Sequence, residues 1–400
     1  MNTEPPPRRL RIDPVRQIIV ICTRLIGDVL LTTPLIAAAH RRWPDARIDV
    51  LGFEGTLGML EGNPMIDRLI AVPAGSGWLQ SLPLIVQLWR RYDLALIAQY
   101  SDRAHLYGLI AGRVRSGLVS PGKVYSWWKR LLLQHRVVFE AEHSHAALEK
   151  FGLLAPWAEP PERVDVIPPP PAPLPEDVQA RLRERCVVLH VPSRVAYKRW
   201  PLRHQRTLVQ GLIDDDWQVV LTGGPSADDR EQSAELARSV SSPQVLDVSG
   251  RLDFRQLVQL LQGAALYVGP DTSVTHLAAA VGLPVIATYG PIDPRLWGPW
   301  PQGHPPMQPY RASGYAQRIG RIVLLQGDQA CVPCSLAGCE RHEGSRSDCL
   351  ETMSGERVLA EARLVLAGGE RAAPTMARTI PIIAASRSGN RSGDGTRGNG

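Results

Sequence analysis

The chain has 400 residues, 44% hydrophobic and 21% charged, with a net charge of +6, which fits two soluble domains with separate cores. The opening "MNTEPPPRRLRID" lacks an apolar centre and no stretch reaches the roughly 18 apolar residues of a membrane span, so neither a secretory signal nor a transmembrane helix is expected. The positive excess suits an anionic ligand or an anionic membrane surface, while no concentrated basic arm or known module points to nucleic acid.

Residues 1–15 read as a flexible lead. "QIIVICTRLIGDVLLTTPLIAAAHRRWPDARIDVLG" (17–52) reads as strand, loop, helix, strand. "IIVIC" is a continuous apolar run, as in a strand buried on both faces of a parallel sheet. The helix presents Leu31, Leu35, Ile36 and Ala39 at helical spacing. "DRLIAVP" and "YDLALIAQY" add strands, so residues 16–165 form a doubly wound α/β domain. Within it, "GKVYSWWKRLLLQHR" (122–136) mixes Lys123, Lys129, Arg130 and Arg136 with Tyr125, Trp127 and Trp128. That mixture is either an interfacial segment for an anionic membrane or an amphipathic helix with its aromatics in the core.

"VIPPPPAPLPEDV" opens a stiff, extended connector over 166–185. The alternation then resumes over 186–370. "CVVLHVPS", "WQVVLTGGP", "QVLDVSG", "ALYVG" and "PVIATYGP" are strand candidates, separated by the helices "RTLVQGLIDD", "ADDREQSAELARSV", "DFRQLVQLLQG" and "VTHLAAAVG". Residues 371–400, rich in Gly, Ser and Arg, read as a disordered tail. The fold class is therefore α/β, with two similar halves on a hinge and a ligand cleft between them.

In parallel α/β sheets the ligand lies at the carboxyl ends of strands, against helix N-termini that hold phosphate through unpaired N–H groups. "GPDTSVTH" places Asp271, Thr272, Ser273 and His276 at such a point. Asp271 or Thr272 is either part of an anion site or simply a helix cap. "SRVAYKRWP" brings Ser193, Arg194, Lys198 and Arg199 to the same edge, and "LTGGP" brings Gly223 and Gly224, where glycine allows close backbone approach. Lys198 is either a phosphate ligand or a solvated lysine. The loop after the first strand is "TRLIGD" rather than G-x-G-x-x-G, and no P-loop occurs, which weighs against hydride transfer and P-loop chemistry.

"TRLIGDVLLTTP", "VAYKRWP", "LTGGP", "GPDTSVTHLAAAVGLPVIATYGP" and the late cysteines resemble, in that order, glycosyltransferase family 9, the bacterial lipopolysaccharide heptosyltransferases, over residues 16–365. The resemblance implies a GT-B fold, two Rossmann-like domains facing across a cleft, and an inverting, metal-independent transfer of heptose from ADP-heptose to the lipopolysaccharide core. It implies no cofactor, and a place in the cytoplasm at the inner-membrane face. Carried over, Asp28 matches the general base and Lys198 the phosphate-contacting lysine. Ser193, Asp271, Thr272, Ser273 and His276 match the donor site, and Thr222, Gly223 and Leu252 lie where the nucleoside is expected. Arg24, Gly27, Lys123, Lys129 and Arg130 fall on the acceptor side.

A free aspartate has a pKa near 3.9, so Asp28 would need burial to become a better base, and it also has the makings of an N-cap. Where relatives carry an acidic residue after the Gly-rich turn, this chain has "GGPSADD", with Asp228 as the substitute. His276 either meets a phosphate or sugar hydroxyl or is a core histidine; Trp297 and Trp300 are either packing or sugar platforms. "ACVPCSLAGCERHEGSRSDCL" holds Cys331, Cys334, Cys339 and Cys349 with His342, either a structural zinc site or an unligated loop. Similar clusters point to the branch resembling heptosyltransferase III. Other readings are a transferase or epimerase using another nucleotide sugar, and a nucleotide-binding assembly protein without turnover.

Overall fold

The computed structural model describes residues 12, 14–73, 82–138 and 145–370, with backbone only for 123–126 and 369–370. The expected tail, most of the N-terminal lead and the side chain of Lys123 lie outside the described residues. Val15 is buried, and the amides of Arg16 and Gln17 both donate to Asp93 Oδ2, at 2.9 and 3.1 Å.

The first sheet contains β1 (Gln17–Cys22), β2 (Arg47–Phe53), β3 (Arg68–Val72), β4 (Tyr92–Ile97), β5 (Gly112–Val119) and β6 (His135–Val138). All are parallel, in the order β3-β2-β1-β4-β5-β6. Ile18 to Cys22 are fully buried, because a central strand of a parallel sheet is covered on both faces. Ile18, Val20 and Cys22 face the helix Thr33–Arg42, and Ile19 and Ile21 face the helix Asp102–Ala111. The expected first helix is broken in two. Ile26–Leu30 ends before Thr33–Arg42 begins, with Pro34 near the new start and the Thr32 and Thr33 hydroxyls bonded back to the Val29 and Leu30 carbonyls.

The second sheet contains β7 (Cys186–His190), β8 (Gln218–Thr222), β9 (Val245–Asp247), β10 (Leu266–Pro270), β11 (Val285–Tyr289), β12 (Ala316–Ile319) and β13 (Ile322–Gln326). Its order, β12-β13-β11-β10-β7-β8-β9, repeats the first with an antiparallel edge strand added. The two-domain Rossmann-like arrangement expected of GT-B is therefore present. In each sheet the strand order reverses beside the first strand, between β1 and β4 and between β7 and β10, which is where such sheets bind ligands.

The proline-rich segment is extended but not free. Arg255 and Gln256 donate to the carbonyls of Pro170 and Pro173, the Ala172 amide donates to the Arg255 carbonyl, and Leu174 and Val178 are buried. A short helix, Glu176–Gln179, forms inside it. A second tie runs beside it: Trp300 Nε1 donates to the Val164 carbonyl at 2.9 Å, and Val164 pairs with His304.

Candidate active site

The two domains touch where their reversal points meet. The loop after β1 enters the helix Ile26–Leu30, and the loop after β10 enters Ser273–Val281. Gly27 lets them approach: a Cβ there would lie 3.4 Å from His276 Cδ2 and 3.6 Å from the Ser273 Cα. Asp28 and His276, called from distant parts of the sequence, thus come from opposite domains to one interface.

Asp28 is buried, and Arg24 Nε lies 3.5 Å from its Oδ2. The residue does not cap its helix: the N-cap is Leu25, with no side-chain cap bond, and Asp28 stands inside the first turn. Beside it lies a small hollow lined by Arg24, Gln99, Tyr100, Glu149, Lys150 and Trp297 among others. Arg24 spans the two domains, with its guanidinium 5.6 Å from the Tyr100 ring centroid and 5.4 Å from that of Trp297. Trp297 therefore faces the hollow, whereas Trp300 is buried packing.

Lys198 ends a short turn, Ala196–Lys198, and its Nζ lies 2.6 Å from Asp271 Oδ2. Burial alone would lower the lysine's pKa, but the Asp271 charge and hydrogen bond reverse this and hold it above the ordinary lysine value. Lys198 is thus a paired cation rather than a solvated one. Thr272 is the N-cap of Ser273–Val281 without a side-chain cap bond, so neither it nor Asp271 plays the capping role, and the first amides of that helix keep their donors. His276 is buried, its Nδ1 has no partner, and burial pushes its pKa down to about 4. It is a neutral imidazole with an unspent ring nitrogen.

Ser193 is buried, and its carbonyl accepts from Arg199 Nε at 2.8 Å. Thr222 ends β8 with its hydroxyl 3.1 Å from His190 Nδ1. Gly223 follows, and a Cβ there would press on Ser249 Oγ and Ser233 Oγ at 3.0 and 3.1 Å. Leu252 is half-buried against the main core. Asp228 is occupied, paired with Arg199 at 2.6 Å and accepting from Gln232 Nε2 at 3.0 Å.

The basic acceptor-side helix is placed differently from expectation. Lys129 is buried; its Nζ donates to the Tyr100 carbonyl at 2.5 Å and pairs with Asp102 at 2.7 Å. It supports the Tyr100 loop from behind and offers no exposed charge to an acceptor or a headgroup. Arg130 donates to the Ser120 carbonyl at 3.1 Å.

Lys150 was not singled out by sequence. It is buried, lines the hollow and donates to the Asp28 carbonyl at 3.2 Å. No motif marks it, because one Glu-Lys pair in "AALEKFG" looks like any surface charge pair, although both side chains are buried. Gln99 and Tyr100 were findable, since they follow β4 at the reversal point. Just before Lys150, His145 Nε2 lies 2.7 Å from the Gly298 carbonyl, tying this helix to the second domain.

Among the described residues no group of three or more His, Cys, Asp or Glu side chains is placed to hold a metal ion, and Cys331, Cys334 and Cys339 gather near Cys349 without forming one. Burial pushes the Cys349 thiol up to about 12, and the neighbouring sulfurs add to it. The loop instead braces Lys198: the Ala196 amide donates to the Glu343 carbonyl at 2.9 Å, and Ser347 Oγ donates to the Tyr197 carbonyl at 2.8 Å.

Residues 84–304, more than half of the chain, match Glycosyltransferase family 9 (heptosyltransferase). Lipopolysaccharide heptosyltransferase 3 of Escherichia coli K12 is 28% identical over 69% of this chain and 83% of its own length. Lipopolysaccharide heptosyltransferase 1 of Pseudomonas aeruginosa is 26% identical over 87% of this chain and 94% of its own. Among solved structures, E. coli ADP-heptose lipopolysaccharide heptosyltransferase II superposes with a TM-score of 0.66 at 22% identity, covering 88% of this chain and 99% of that one. E. coli heptosyltransferase WaaC with ADP gives 0.65 at 20%, covering 87% and 99%. These structural likenesses speak for the fold, and the family match takes in β4 of the first sheet and the whole reversal point of the second, β7 and β10, while β1 and the Asp28 loop precede it. The chain belongs to glycosyltransferase family 9, the heptosyltransferase family.

Proposed function

We propose that this chain is an inverting glycosyltransferase that moves heptose from ADP-L-glycero-D-manno-heptose to the lipopolysaccharide inner core, at the cytoplasmic face of the inner membrane. The observation that carries the reading is the meeting of the Asp28 loop with the helix Ser273–Val281, whose N-terminus adjoins the Lys198–Asp271 pair. Heptose, ADP and lipopolysaccharide are taken from what the relatives are named for, and the sugar's configuration and the inner-core acceptor from the family resemblance.

The acceptor hydroxyl oxygen attacks the anomeric carbon on the face opposite ADP. The new C–O bond forms as the bond to the β-phosphate oxygen breaks, through an oxocarbenium-like sugar. The Asp28 carboxylate takes the hydroxyl proton. Lys198 and the uncapped amides of Ser273–Val281 stabilise the charge arriving on ADP, the load a metal ion carries in other transferases. Arg24, Gly27 and Lys150 line the acceptor side, and Thr222 and Gly223 the nucleoside side.

The test is thermal unfolding of the purified chain with ADP, UDP, GDP and NAD in turn. ADP at 100 times its dissociation constant adds about 2.7 kcal/mol of stability. A shift with ADP alone supports the reading, and a preference for UDP or GDP overturns the donor. Asp28→Asn then keeps the ADP shift and loses transfer; unchanged transfer removes Asp28 as the base.

A further inference from the structure

The first domain carries apolar stripes that face away from its core. Leu82, Val86 and Trp89 follow i, i+4, i+7 spacing along the helix Leu82–Leu88 and the turn after it. All three are exposed, Val86 by 75% and Trp89 by 65%, while Leu88 on the opposite side is fully buried. On the helix Lys123–Leu132, Trp127 and Leu131 form a second i, i+4 pair, 62% and 76% exposed. Leu106 projects from Asp102–Ala111 between them in sequence, and is also exposed.

These helices share one layer. Each connects a strand to the next parallel strand on the same side, from β3 through β4 and β5 to β6, and right-handed crossovers put all such helices on one face of the sheet. Their inward residues agree, since Leu88, Ala104 and Tyr107 share a cluster with Ile19 and Ile21. Single exposed apolar residues are ordinary, but a helical stripe normally marks the side turned to the core. Here two stripes and Leu106 face outward from one layer.

Charge is concentrated in the same stretch. Residues 82–138 hold nine Lys and Arg against two Asp and Glu, a net +7 that exceeds the +6 of the whole chain. Neither acid is free to repel an anion: Asp102 is paired with Lys129 at 2.7 Å, and Asp93 accepts from the Arg16 and Gln17 amides and faces Arg113. Arg90, Arg91 and Arg136 are exposed.

We propose that this three-helix face docks on an anionic lipid bilayer. Trp89 and Trp127 sit at the headgroup boundary, the aliphatic side chains enter the acyl edge, and the guanidinium groups meet lipid phosphates. A bilayer surface offers apolar depth beneath a plane of negative charge, the complement of this layer. The inference stands on the first domain alone, and the transferase reading only gives it a purpose, since a lipid-anchored acceptor is presented at such a surface.

The test is flotation of the full chain with phosphatidylcholine vesicles, with and without phosphatidylglycerol. The chain is expected to float with the anionic vesicles and to be released by salt. Trp89→Ser, Trp127→Ser and Leu131→Ser combined should weaken partitioning about tenfold or more, and Arg90→Gln or Arg91→Gln about fivefold each. The ADP-induced thermal shift serves as an independent control of folding, and its failure would speak against the donor reading rather than the docking face. Three results overturn the proposal: no flotation with anionic vesicles, equal flotation of the triple variant, or a wild-type dimer that the triple variant converts to monomer.

Discussion

Lys198 Nζ lies 2.6 Å from Asp271 Oδ2, so the cation proposed to receive ADP already shares its charge with a carboxylate of the same domain. The pair fixes the ammonium beside an uncapped helix start, and the cysteine-rich loop fixes the turn that carries it. Preorganisation of this kind lets the lysine act on developing charge without first being gathered from solvent.

Lys198→Ala is therefore expected to lower kcat by about 10²–10³ and to weaken ADP binding, while leaving Asp271 unpaired. Because Asp271 is buried, the same variant also loses stability, by about 1–3 kcal/mol. Asp271→Asn releases the lysine and should bind ADP at least as well as the native chain. Calorimetric titration of both variants with ADP decides the matter: equal ADP affinity in native and Lys198→Ala chains would remove the lysine from the donor site.

Gly27 tests how closely the domains must meet. Alanine there would place its Cβ at ordinary contact with His276 Cδ2, 3.4 Å away, and should be nearly silent. Valine adds two methyl groups against the same wall and holds the interface apart. Gly27→Val should keep the ADP thermal shift, which depends on the second domain, yet lose transfer by about tenfold or more. Full activity in Gly27→Val would show that chemistry does not require this contact.

Much of this site was legible because its parts are local. A strand end followed by small polar residues and a helix gives a phosphate-shaped sequence, as in "GPDTSVTH", and β7 to β11 were marked by apolar runs bounded by turns. β5 was missed because Arg113, Arg115 and Ser116 break the continuous apolar run that marks the other strands, and β6 because an edge strand of four residues carries almost no pattern. What sequence could not reveal was the partner of each charge. Lys129 and Lys150 are both lysines on amphipathic helices, yet one is buried against Asp102 and the other against the Asp28 carbonyl. Those pairings arise between residues 27 and 122 positions apart, a distance over which spacing says nothing.

Lys150 should act on the acceptor side only. Its ammonium is buried and hydrogen-bonded to the backbone oxygen of Asp28, so Lys150→Met removes the charge while keeping the stem. A charge-assisted bond is worth about 1.5–3 kcal/mol, so kcat/KM for the acceptor should fall roughly tenfold to a hundredfold. The ADP thermal shift should be unchanged. Loss of ADP binding in Lys150→Met would place its influence on the donor instead.

Four buried histidines predict an acid limit to stability. Burial pushes His105, His190 and His276 down to about 4 and His145 to about 3, against an ordinary value of 6.5. Their folded forms are neutral, while in the unfolded chain they take up protons as pH falls through 6.5. The unfolded state then binds more protons, so stability is complete above pH 6.5 and declines as pH drops toward 4. Each histidine contributes up to about 1.4 kcal/mol per pH unit inside that window. His145 is the sharpest case: its Nε2 faces the Gly298 carbonyl at 2.7 Å and its Nδ1 accepts the Ala147 amide at 3.1 Å, so a second proton would leave that amide without an acceptor. Urea unfolding at pH 7.5, 6.0 and 5.0 should give falling stabilities, and His145→Gln, destabilised at every pH, should show a shallower decline. A stability that stays level from pH 7.5 to 5.0 would mean these imidazoles accept protons in the folded chain, and with that His276 would be a cation rather than a neutral partner at the domain interface.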